Sequence, residues 1–275
     1  MRSFQNYRPV PYFVSVMVLT FILWSIGGYL SFGPNPDGSY MIWMLLGLMI
    51  PFLVAVWMIW RFGTPLMRRE FLQKLFNLRL ISFRMIPFVL LAMPASVVIA
   101  IAISLQFGEP VEQFRFSESF SFSVGFVPVL LLFILAAVFE ELGWRGYGFE
   151  SLQDRFSFLN ASIIFGALWS FWHLPLLWVN GSYQYEIFHQ NLWFAVNFFV
   201  STMIMGVIVS WVCFKNRKSI LAAIVFHFII NLSQEALEMT QTSKCIQTFV
   251  LLFFVVVLVW RERDLFFATP SEGKL

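Results

Sequence analysis

Long apolar runs decide what this chain can become. Stretches of roughly 18 or more residues with almost no charge recur from the first tens of residues to beyond residue 250. Each is long enough to cross the hydrocarbon core of a bilayer as a helix. Only helices or closed barrels satisfy every backbone polar group in lipid, and runs of this length select helices. The spacing predicts eight spans, at about 11–32, 41–60, 85–106, 122–148, 159–179, 191–214, 219–236 and 246–260. The fold class expected is therefore all-α, a polytopic membrane protein. No polar stretch is long enough to bury a core of its own, so residues 1–275 read as one domain.

Charge placement fixes an orientation. The chain holds 18 Lys and Arg. With eight spans, sixteen of them fall on one side, including Arg2, Arg8, Arg61, Arg68, Arg69, Lys74, Arg217, Lys218 and Lys274. Only Arg115 and Lys244 fall on the other. The positive-inside rule then puts both termini in the cytoplasm. The first apolar run lacks a cleavage-type ending and is expected to stay as a helix. Cys213 and Cys245 should lie on opposite faces, which argues against a disulfide. The basic residues follow topology and give no nucleic-acid signature. The longest basic connection, 61–84, has apolar residues at Leu66, Met67, Phe71, Leu72, Leu75, Phe76 and Leu78. That pattern suits either an amphipathic helix on an anionic leaflet or a helix packed across the cytoplasmic helix ends.

Against this background the run Phe139–Phe149, FEELGWRGYGF, is costly. A charged side chain at a helix centre costs roughly 2.5–3.5 kcal/mol on insertion scales. Few other ionisable or strongly polar side chains fall inside the spans. They are His173 on the fifth and His227 with Asn231 on the seventh. The motif-bearing core is thus about 122–236. The third histidine, His189, lies in an external connection.

Helical spacing separates the carboxylates. Neighbouring residues are about 100° apart, so Glu140 and Glu141 cannot face one point. Glu141 and Arg145, four apart, can pair and brace the helix end. Glu140 is left for a cavity. His227 and Asn231 share one face of their helix, and Pro175 should disturb the helix just after His173. Glu140 and His227 each lie about 12 Å inside the cytoplasmic boundary by the rise per residue. A shared cavity open to the cytoplasm is expected.

One carboxylate, two imidazoles and one amide suit hydrolysis by water. A carboxylate held away from bulk water serves as general base, and a neighbouring histidine helps orient the water. A second histidine with an amide can stabilise an oxyanion. No serine or cysteine stands out as a nucleophile. The bland alternative is that each polar group is a helix–helix hydrogen bond.

Together, Glu140-Glu141-x-x-x-Arg145, Trp169-x-x-x-His173 and His227-x-x-x-Asn231 resemble the type II CAAX prenyl endopeptidases. These are the Ras-converting enzymes within the abortive-infection-like membrane proteases, and the match looks close to an archaeal member. The family's second motif usually begins with Phe, where this chain has Trp169. The resemblance implies a glutamate-dependent intramembrane protease that removes the last three residues of a prenylated CAAX tail. It implies Glu140 and His173 as activators of water, His227 and Asn231 as the oxyanion site, and Glu141 and Arg145 as support. Its partners would be a prenylated protein or peptide and the bilayer, and no cofactor is expected.

Two alternatives stay open. A zinc protease of the same fold would use Glu140, His173 and His227 as ligands. A transporter or immunity-type binding protein would use the same buried charges without chemistry.

Overall fold

The structure is a computed structural model, and it describes residues 7–33, 39–117 and 128–268. Arg2, Lys274, both chain ends and the first residues of the fourth expected span lie outside the described residues. Each of the eight expected spans corresponds to a helix. They are α1 (Pro9–Ser31), α2 (Ser39–Phe62), α4 (Ile86–Ser104), α5 (Val129–Gly143), α7 (Phe158–Trp172), α9 (Leu192–Lys215), α10 (Ile220–Glu235) and α11 (Gln241–Arg261). Among the described residues, shorter helices α3 (Pro65–Phe76), α6 (Phe149–Gln153) and α8 (Tyr183–Gln190) intervene, and α12 (Arg263–Phe267) follows α11. Among the described residues the only β pairing is an isolated bridge between Phe116 and Leu237.

Among the described residues, six segments are long and apolar enough to cross a membrane. The two expected spans outside that set are α5, of 15 residues, and α10, of 16. Helix α10 falls short of the roughly 20 residues a full crossing needs, whereas α5 continues as helix through a π-helical turn, Trp144–Gly148, into α6. Helices α5 and α10 are also the ones that carry Glu140, Glu141, His227 and Asn231.

Capping residues start the helices where the sequence permits it. Thr64 accepts from the Met67 amide ahead of α3, Ser157 from Asn160 ahead of α7, Asn191 from Trp193 ahead of α9, Ser219 from Ala222 ahead of α10, and Thr240 from Ser243 ahead of α11. Each satisfies an amide that the first helical turn leaves unpaired. In hydrocarbon or at its edge, that accounting is compulsory.

Helix α5 lies between α2 and α10, and α10 also packs on α4 and α9, with α7 laid along α9. Close approach of α2 and α5 depends on Gly143. A Cβ there would come within 2.6 Å of Pro51 Cβ. The expected amphipathic segment is α3, and it packs inward through buried Met67 and Phe71, with Phe71 against Gly146. Leu66, Leu72 and Phe76 on α3, and Leu78 just beyond it, remain exposed.

A cluster of charge ties this end of the molecule together. Glu150 on α6 accepts from Lys74 of α3 at 3.3 Å and from Lys218, just before α10, at 3.1 Å. Burial alone would push the Glu150 carboxyl up. The two ammonium groups override it and hold the carboxyl down at about 2. Burial would likewise push Lys218 down, and Glu150 raises it instead.

A polar cluster gathered around Trp169

The EExxxR run ends α5 and enters a π-helical turn, Trp144–Gly148. Such turns widen a helix by one residue and recur at functional sites. Glu141 and Arg145 pair as their spacing predicts, with Arg145 Nη1 donating to Glu141 Oε1 at 3.1 Å. Both side chains are fully buried. The Arg145 guanidinium also lies 4.3 Å from the Phe165 ring centroid, where the ring's π face attracts the cation.

Glu141 has a second partner that spacing alone does not reveal. His227 Nδ1 lies 2.8 Å from Glu141 Oε1, across 86 residues of chain. The carboxylate can only accept, so Nδ1 carries a proton and Nε2 is the free ring nitrogen. Glu141 therefore joins α5 to α10 and fixes the orientation of His227. Its part is larger than bracing a helix end.

Glu140 points elsewhere, as its 100° offset requires. It is 5% exposed. Its Oε2 accepts from Trp169 Nε1 at 2.6 Å and from Trp144 Nε1 at 3.3 Å. Trp144 is four residues on from Glu140. The same spacing that pairs Glu141 with Arg145 also signals this contact in the sequence. The Trp169 bond has only a weak signal, an indole where the resembling motif usually has Phe.

His173 lies just past the end of α7. Pro175 follows in a 3₁₀ turn, Leu174–Trp178, so the helix is broken where expected. His173 Nδ1 is 2.8 Å from the Trp169 carbonyl, which again puts the proton on Nδ1. The Trp169 ring sits edge-on to both imidazoles, 5.9 Å from His173 and 5.3 Å from His227 between centroids. Glu140, His173 and His227 thus all touch one residue on α7. Asn231 stands one turn beyond His227 on α10 and is half-buried. Its side-chain amide makes no hydrogen bond to a described residue. His189 lies on α8, away from this cluster, with Nδ1 on the Tyr185 carbonyl.

Cys213 and Cys245 are both free thiols. Among the described residues no group of three or more His, Cys, Asp or Glu side chains stands in a geometry that could hold a metal ion. Glu140, His173 and His227 are near neighbours through Trp169 without forming a ligand set.

A membrane-embedded, all-α bundle with two Nδ1-anchored histidines beside a buried carboxylate defines a class of multi-pass membrane protein. Comparison with known proteins narrows it. Residues 122–233 match the family model described as type II CAAX prenyl endopeptidase Rce1-like. The chain is also 51% identical over 267 residues to "CAAX prenyl protease 2" of Methanococcus maripaludis, covering 97% of this chain and 98% of that one. The chain belongs to the Rce1-like family of type II CAAX prenyl endopeptidases.

Proposed function

We propose that the protein is an intramembrane endopeptidase that removes the C-terminal tripeptide from prenylated CAAX proteins. The observation that carries this reading is the polar cluster itself. Three side chains able to move or hold protons converge on Trp169, and each is fixed by a hydrogen bond that leaves another polar atom free. Structural hydrogen bonds alone would need no such arrangement. The relative's name adds the substrate class.

In this reading Glu140 takes a proton from water, and His173 orients that water through Nε2. The hydroxide oxygen adds to the carbonyl carbon of the prenylated cysteine. The resulting oxyanion is met by His227 and the Asn231 amide. Because His227 Nδ1–H is committed to Glu141, donation through Nε2 requires the ring to hold both protons. The Glu141 carboxylate at 2.8 Å compensates that charge. The intermediate collapses with cleavage of the C–N bond, and the proton held by Glu140 passes to the leaving amine. The products are a prenylated protein with a new carboxylate and a free tripeptide. The chemistry uses no metal.

The substrate also fits the position of the site. Glu140 is ten residues before Glu150, and His227 nine after Lys218. Both therefore lie about 13–15 Å from the basic, cytoplasmic cluster by helical rise. A protein tail would enter from the cytoplasm while its isoprenoid stays in lipid.

The test uses purified protein in liposomes with a farnesylated CAAX peptide and its unprenylated twin. Release of the intact tripeptide from the farnesylated peptide alone is the expected result. Activity should persist after exhaustive chelation. Asn231→Ala should lower kcat by about 10²–10³, the loss usual for one oxyanion donor. Cleavage at another bond, or loss of activity on chelation restored by zinc, would refute the reading.

A further inference from the structure

Trp169 does more than pack. Its indole Nε1 donates to Glu140 Oε2 at 2.6 Å. Its carbonyl accepts from His173 Nδ1 at 2.8 Å. One residue therefore holds Glu140 with its side chain and sets the tautomer of His173 with its backbone. A ring chosen for packing alone needs neither contact, and a Phe ring would lack the N–H.

The two oxygens of Glu140 are not equivalent. Both indoles, Trp169 and Trp144, donate to Oε2. No described residue bonds Oε1. An oxygen whose lone pairs already face two N–H groups is the poorer proton acceptor, so Oε1 is the one left to act as base. A positioned base must sit within about 2.6–3.2 Å of the proton it removes. A carboxylate free to rotate would lose that geometry much of the time.

We propose that Trp169 is a positioning residue, whose indole N–H pins Glu140 through Oε2 and so presents Oε1 to the substrate water. The proposal rests on the hydrolytic reading above and deepens it.

The test replaces only the N–H. Trp169→β-(3-benzothienyl)alanine keeps the bicyclic ring and puts sulfur in place of the nitrogen. Trp169→Phe provides a second variant that also lacks the donor. Both are compared with wild type and Glu140→Gln on the farnesylated peptide. The benzothienyl variant should lose about 10–100-fold in kcat, the scale of a small misplacement of a reacting group, with KM changed less than about threefold. A packing role predicts no change for this variant. A readout independent of activity is the indole N–H resonance of Trp169 in ¹⁵N-tryptophan-labelled protein, identified by its loss in Trp169→Phe. It should lie downfield and move upfield in Glu140→Gln. If wild type cleaves and needs Glu140, but the folded benzothienyl variant keeps wild-type kcat, the positioning role is wrong and the hydrolytic reading stands. An indole resonance unmoved by Glu140→Gln also overturns it. If wild type fails to cleave, or Glu140→Gln cleaves normally, the hydrolytic reading falls and takes this proposal with it.

Discussion

At the scale of single residues, the adjacent carboxylates divide their work by direction. Glu140 faces α7 and its two indole donors, while Glu141 faces Arg145 and His227. The division was legible in the sequence because 100° per residue forces it. The Glu141–His227 bond was not, since it joins helices 86 residues apart and depends on how α5 crosses α10. Trp144 could have been found from its i,i+4 relation to Glu140. Glu141→Gln leaves Arg145 buried without a counter-charge and puts a neutral amide in place of the carboxylate that faces His227. Breaking a buried pair in this way costs about 3–5 kcal/mol. A marked fall in Tm in detergent should result, together with lost activity even below that Tm. Wild-type Tm in this variant would contradict the role given to Glu141.

At the scale of elements, packing and charge both hold the C-terminal end of α5 in place. Gly143 lets α5 meet α2, so Gly143→Ala should push the helices apart. Overpacking of this kind costs about 1–3 kcal/mol, read as a lower Tm. Just beyond α5, Glu150 ties α3, α6 and the start of α10. Its carboxyl is held down at about 2 in the folded protein, below the ordinary carboxylate value of about 4.3. A depressed carboxyl stabilises the fold above its unfolded value, and that contribution disappears as pH falls through about 4 toward 2. The Tm difference between wild type and Glu150→Gln should therefore be large at pH 7 and shrink toward zero near pH 2. A difference independent of pH would contradict the ion cluster. The eight helices themselves were legible from hydropathy. That a π-helical turn follows α5 depends on tertiary packing.

At the scale of the whole molecule, sixteen basic residues against two imply one orientation, with the Lys74–Glu150–Lys218 cluster toward the cytoplasm. Single cysteines at Arg69 on α3, ahead of α4, and at Glu109, beyond the far end of α4, in a background without Cys213 and Cys245, test it in intact cells. An impermeant maleimide should label the Glu109 position and reach the Arg69 position only after lysis. The reverse pattern would invert the route by which a cytoplasmic tail reaches Glu140.

The central claim is that the Glu140 carboxylate drives hydrolysis. Glu140→Gln keeps the size of the side chain and removes the base. Mass spectrometry of a farnesylated CAAX peptide, incubated in liposomes with equal amounts of folded wild type and Glu140→Gln, tests it directly. The account predicts tripeptide release by wild type, and a rate at least about 10²-fold lower in the variant. Release of the tripeptide at the wild-type rate by Glu140→Gln would contradict it.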